Sequence, residues 1–191
     1  AGGEAAWDLV FGRVNPSGKL PETYAYVYDD YVNSEIYGKQ TKQVEYREGL
    51  YVGYRYFDRA KKPVLFPFGH GLSYTKFLYT DLQVNDKTVD FKENETLSLS
   101  FKLKNIGHRE GKEVVQLYLR EKNLKGYGVE KRLLAFNKIE LKAGEEKDVS
   151  FVLRSKDFEE YDSSKEKMII KEGEYEVLIG SSSKNLILQE D

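Results

Sequence analysis

At 191 residues, with 40% hydrophobic and 14% aromatic content, the chain has enough apolar material for a packed core, which excludes global disorder. Thirty basic against 32 acidic residues leave a formal charge of -2, so no broad field draws nucleic acid or anionic lipid, and no run approaches the roughly 20 apolar residues of a membrane-spanning helix. With no cysteine, disulfides, thiol nucleophiles and cysteine-ligated metals are excluded, while the compartment stays open: the cytoplasm is slightly favoured, and a signal segment upstream of Ala1 would overturn that.

Residues 4–12 place Ala6, Leu9 and Val10 at helical spacing and stop at Gly12, which predicts the end of a helix and a chain that enters in mid-domain. Asn15-Pro16-Ser17-Gly18 is a turn by its chemistry, since proline presets φ and glycine accepts a positive value; Lys19-Leu20-Pro21 then resumes in extended form. From 22 to 44 the sequence is polar and tyrosine-rich without sustained periodicity, which predicts a long loop. Tyrosine is abundant, with 15 copies against one tryptophan. Such rings either line a sugar site, where C–H faces pack on them, or fill interfaces between domains.

The segment 48–57 satisfies both a helical stripe, through Leu50, Tyr54 and Phe57, and a strand alternation, through Leu50, Val52, Tyr54 and Tyr56; a short helix is expected. Phe66-Pro67-Phe68-Gly69-His70-Gly71-Leu72-Ser73-Tyr74-Thr75-Lys76-Phe77 is a shaped crossing, and beyond it the pattern becomes a succession of short alternating runs. Strands are predicted over 78–84, 96–104, 113–120, 131–141, 147–153, 168–170, 173–179 and 185–188. Leu97, Leu99, Phe101 and Leu103 form an inward set against Ser98, Ser100, Lys102 and Lys104, and Val149, Phe151 and Leu153 repeat the logic. The fold class is therefore mainly β, a fibronectin type III-like (immunoglobulin-like) antiparallel sandwich. Residues 1–68 form the first part, with the loop at about 22–44, and residues 69–191 the second.

Catalytic constellations are scarce. Glu45 and Glu48, three apart beside Arg47, are either a paired-carboxylate site or a solvated Glu45 with a capping or salt-bridging Glu48. His70, between Gly69 and Gly71, is either an acid/base group or a hydrogen-bonding pin at the crossing, and His108 follows a turn as a surface residue. Two distant histidines make no metal site, so no metal and no cofactor is assigned. Ser17 and Ser73 lie in turns without a Gly-x-Ser-x-Gly setting or an activating histidine–acid pair, the glycines lack phosphate-loop spacing, and Ser181-Ser182-Ser183 is a hairpin loop.

The three motifs at 15–21, 46–57 and 66–77, in that order, resemble the carboxy-terminal part of glycoside hydrolase family 3 enzymes of the β-glucosidase type. Asn105-Ile106-Gly107 with Gly111, Val114-Val115-Gln116-Leu117-Tyr118, Leu133-Leu134-Ala135-Phe136 and Gly173-Glu174-Tyr175 resemble that family's fibronectin type III-like domain. The resemblance implies a partial α/β sandwich segment ahead of the β-sandwich, and a retaining mechanism whose aspartate nucleophile sits on a barrel domain and whose glutamate acid/base sits earlier in the α/β sandwich. Neither motif is present, and Trp7-Asp8, in its helical setting, does not match the nucleophile's surroundings, so no catalytic residue is assigned. The implied role is to brace the catalytic domains and to wall the aglycone side of a pocket for a β-linked sugar. The implied partners are the barrel and the remaining α/β portion, with no nucleic acid or membrane, and oligomerisation is left open. Alone, the chain is expected to be inactive. The alternative is a stand-alone fibronectin type III-like module that binds carbohydrate or protein.

Overall fold

A computed structural model describes residues 2–39, 42–85, 88–90, 96–124 and 126–190. Helices α1 (Gly2–Val10) and α2 (Tyr54–Arg59) precede nine strands: β1 (Phe77–Val84), β2 (Thr96–Asn105), β3 (Gly111–Glu121), β4 (Arg132–Leu141), β5 (Glu146–Arg154), β6 (Glu159–Asp162), β7 (Lys167–Ile170), β8 (Tyr175–Gly180) and β9 (Leu186–Glu190). One sheet runs in the order β1-β2-β5 and the other β4-β3-β8-β9, all neighbours antiparallel, with β6-β7 as a separate hairpin. This is the expected sandwich.

Its core follows from strand geometry, since residues two apart share a face. Leu97, Leu99, Phe101 and Leu103 of β2, with Val149, Phe151 and Leu153 of β5, meet Val115, Leu117 and Leu119 of β3 and Val177 and Ile179 of β8. Tyr79 stacks on Phe101 with centroids 5.8 Å apart, and Phe101 on Phe151 at 6.5 Å. Each fully buried apolar side chain of this size contributes about 1.5–3 kcal/mol.

Two local outcomes differ from expectation. The helix expected over 48–57 begins at Tyr54 and runs to Arg59, because Gly49 and Gly53 both adopt φ +58° and a turn closed by Tyr51 N–H to Glu48 O (2.9 Å) precedes it. Strand β6 was not expected; its sequence, Glu-Glu-Tyr-Asp, lacks apolar alternation and is held by pairing to β7 through Glu159–Ile170 and Tyr161–Met168. Strand β3 is buried on both faces, so Gln116 and Tyr118 lie as deep as Val115 and Leu117.

The cover over β3 is the amino-terminal part of the chain. The loop 22–44 contains a 3-10 turn at Tyr28–Asp30, and the crossing runs beside residues 20–24. Leu20 N–H donates to His70 O, Gly69 N–H to Leu20 O, Tyr24 N–H to Phe66 O and Leu65 N–H to Tyr24 O, all at 2.8 Å. Ser183 N–H, from the β8–β9 loop, donates to Phe68 O at 2.9 Å. These bonds satisfy backbone groups that a chain crossing a sheet surface would otherwise bury unpaired.

Candidate functional site

Asn15 joins three segments. Its Oδ1 accepts from Ser73 Oγ (3.1 Å) and Tyr74 N–H (2.8 Å), and its Nδ2 donates to Glu110 O (2.9 Å). The turn at 15–18 is thereby tied to the crossing and to the loop after β2. Tyr74 Oη donates to Leu9 O at 2.7 Å, and the Arg109 guanidinium lies over the Tyr74 ring while donating to Gly12 O at 2.9 Å. The glycines here are set by close approach. A Cβ on Gly71 would sit 2.4 Å from Gly18 O, and one on Gly69, at φ +79°, would sit 2.3 Å from Gln116 Oε1.

Beneath the crossing lies a buried polar seam. Gln116 Nε2 donates to Ser181 O (2.8 Å) and Gly69 O (3.3 Å), and its Oε1 accepts from Tyr118 Oη at 2.6 Å. Burial pushes the Tyr118 phenol well above its ordinary value. The Tyr54 ring lies edge-on to Tyr118 at 6.0 Å, and its hydroxyl accepts from Leu133 N–H at 2.9 Å. Next to it, the Asp58 carboxylate pairs with Lys131 through Oδ2 and with Lys184 through Oδ1 at 2.6 Å. Burial lowers the Lys131 ammonium pKa, and the bond and charge of Asp58 oppose that shift. Lys19 Nζ lies 2.8 Å from Glu113 Oε1, a close ion pair rather than an aligned hydrogen bond, and donates to Ser181 O at 3.1 Å.

The residues singled out in the sequence are scattered over this frame. Glu45 is paired with Arg47, Nε to Oε2 at 2.6 Å, and Glu48 is half-buried; both line one hollow. His70 pins the crossing through its backbone, and its ring packs on Phe66 at 5.1 Å. His108 is exposed in a turn. Ser73 serves Asn15, and Trp7 stacks on Phe11 at 4.9 Å while Asp8 pairs with Arg13. Ser181, Ser182 and Ser183 form the β8–β9 loop, with Ser182 Oγ accepting from Asn185 N–H at 3.0 Å. The structure brings Glu45 and Glu48 to one hollow and leaves both histidines and both turn serines outside it.

That hollow encloses about 570 Å³ within the tyrosine-rich loop, where Tyr28, Tyr31, Tyr37 and Tyr46 surround Asn33 and Glu48. A larger one, about 720 Å³, opens at an end of the sandwich among Leu97, Leu119, Val177 and Tyr175, which are side chains of the core and its margin. Sequence reasoning missed Asn33, Asp58, Lys131 and Lys184. Only a charged residue in the apolar stripe of α2 hinted at Asp58.

Residues 1–74 match the family model described as the glycosyl hydrolase family 3 C-terminal domain, and residues 113–183 match that of the fibronectin type III-like domain. The chain is 43% identical to a thermostable beta-glucosidase B of Acetivibrio thermocellus over 98% of its own length and 25% of the relative's. It is 33% identical to a beta-glucosidase of Bacteroides ovatus, over 97% of this chain and 25% of that one. Among solved structures, a family 3 beta-glucosidase of Bifidobacterium adolescentis superposes with a TM-score of 0.90 at 33% identity, covering 100% of this chain and 27% of that one. Beta-glucosidase 3B of Thermotoga neapolitana gives 0.87 at 36%, covering 98% and 26%. The chain thus spans about a quarter of the length of the curated relatives it matches. Two family models in the order that the motifs required, on a fold superposing along its whole length, show that residues 1–74 carry the C-terminal domain of glycoside hydrolase family 3 and that the chain is similar throughout to the carboxy-terminal part of that family's beta-glucosidases.

Proposed function

We propose that this chain is the non-catalytic, bracing portion of a retaining β-glycosidase of the β-glucosidase type. Residues 1–68 complete an α/β sandwich domain, and residues 69–191 form the fibronectin type III-like domain that buttresses it. The observation that carries this reading is α1. Trp7 and Val10 of the helix, with Phe11 and Val14 just after it, are 52–71% exposed, and no residue of the helix is buried. An isolated nine-residue helix is marginal in water. An apolar face left bare on such a helix fits a partner surface, here the barrel and the earlier α/β portion of the enzyme. The loop 22–44 is offered to the aglycone side of the sugar pocket.

On this reading the chain by itself does not hydrolyse glycosides, since it supplies neither nucleophile nor acid/base. The test mixes it with the complementary amino-terminal portion of the 43% identical relative, followed by native mass spectrometry and an aryl β-glucoside assay. A one-to-one complex with turnover that neither portion has alone is expected. Turnover by the chain alone, or the absence of any complex, overturns the proposal.

A further inference from the structure

We propose that the free edge of β5 pairs antiparallel with the same edge of a second copy of this chain, about a two-fold axis at Val149, so that the sheet β1-β2-β5 continues across a dimer. The inference concerns the sheet that the crossing does not cover and is independent of the bracing role.

Among the described residues the two sheets of the sandwich end in four edge strands, β1, β5, β4 and β9. An edge is kept from further pairing by irregularities such as bulges, and three of the four carry one. β1 is bulged between Thr80 and Gln83, with Asp81 at φ +58°. The register of β4 shifts opposite Leu117 and Tyr118 and leaves Leu134 unpaired, and that of β9 shifts opposite Ile179 and Gly180 and leaves Ile187 unpaired. β5 alone runs in unbroken register, along β2 from Glu146 to Arg154, and it contains no proline.

Which of its backbone groups are free follows from the ladder. Asn105 N–H donates to Glu145 O at 2.9 Å, and hydrogen-bonded pairs recur at every second residue. Glu145, Lys147, Val149, Phe151 and Leu153 therefore direct their groups at β2. Glu146, Asp148, Ser150 and Val152 direct theirs away from it, and among the described residues these groups have no partner. Arg154 N–H, next in the series, donates to Asp157 Oδ2 at 2.8 Å, which ends the open stretch.

A second copy fits this stretch because the stretch is complementary to itself. Laid antiparallel about Val149, Glu146 meets Val152 and Asp148 meets Ser150, each pair twice by symmetry, and all four N–H and all four C=O groups of each copy find partners. Arg154 is exposed on the same face one step past Val152, diagonal to Glu146 of the other copy and within reach of its carboxylate. The two Asp148 side chains are diagonal to each other, and Lys102 lies opposite each of them on β2. An extended segment of unrelated sequence would make the same backbone bonds without this charge match.

The experiment is sedimentation velocity on the full chain over a concentration series, with amide exchange followed by NMR. A reversible monomer–dimer equilibrium is expected, since one short edge is a small interface beside the roughly 1,200–2,000 Å² of stable complexes. Dimerisation should slow the amides of Glu146, Asp148, Ser150 and Val152 and leave those of Lys147, Val149, Phe151 and Leu153, already bonded to β2, as they were. Ser150→Pro removes an outward donor where proline leaves the β2 ladder intact, and should abolish the dimer. Glu146→Arg and Arg154→Glu should each weaken it about fivefold and together restore it. A chain monomeric at every concentration, or a dimer indifferent to both charge reversals, overturns the inference. So does a dimer that survives Ser150→Pro and dissolves in Phe11→Ser, which assigns association to the α1 face instead.

Discussion

Asp58 and Lys131, 73 residues apart in sequence, form an ion pair whose side chains are only 6% and 9% exposed, at the seam where α2 docks on the outer face of β3 and β4. Removing one partner of such a pair strands the other charge in a poorly solvated site. Asp58→Ala is therefore expected to cost about 3–5 kcal/mol, read by urea denaturation. Lys184, the other partner of Asp58, is 45% exposed, and Lys184→Ala should cost no more than about 1 kcal/mol. Equal effects from the two substitutions would contradict this account.

Gly71→Ala should destabilise the crossing, because its Cβ would meet backbone, Gly18 O at 2.4 Å, which no rotamer change relieves. Gly69→Ala adds a positive φ to a clash with the buried Gln116 side chain, at a cost of about 1–3 kcal/mol. Gly38 shares the positive φ but has open space around it, so Gly38→Ala isolates the backbone term. Thermal unfolding of the three variants should rank Gly38→Ala as mildest.

Asn15→Ala removes three hydrogen bonds at once, to Ser73, Tyr74 and Glu110. The expected loss is about 1–3 kcal/mol. Limited proteolysis should then cleave within residues 2–14 before it reaches the sandwich, a result opposite to that for a core variant.

Leu103→Ala and Leu117→Ala, both at 0% exposure, should each cost about 2–5 kcal/mol in chemical denaturation. Ser100→Ala, on the opposite face of β2 from Leu103, should change stability by no more than about 0.5 kcal/mol.

The Asp162 carboxyl is held below its ordinary value, first by Ser164 Oγ at 2.6 Å, and also by the N–H groups of Ser164 and Lys165. Because the folded-state pKa is depressed, the stabilisation is present above the unfolded value of about 3.8 and is lost as pH falls through the lower folded value. An NMR titration of the Asp162 carboxyl carbon should give a midpoint below 3.8. Asp162→Ala should increase amide exchange in β6 and β7 and abolish that acid dependence.

What the sequence by itself determined was the part that chain geometry repeats locally. A side-chain period of two told Leu97, Leu99, Phe101 and Leu103 from Ser98, Ser100, Lys102 and Lys104, and the Gly and Pro positions marked the turn at 15–18 and the crossing at 66–77. Ordered motifs also carried the family. Tertiary structure alone decided what covers β3, since nothing in the period distinguishes Gln116 and Tyr118 from ordinary outward residues until α2 and the crossing dock on them. The same holds for the hollow, which Asn33 and Glu48 both line, and for β6, whose charged residues pair only because β7 lies beside them. Alternation is imposed by the backbone of a single strand, whereas these contacts join separate segments of the chain, and their formation depends on the free energy of docking summed over both surfaces.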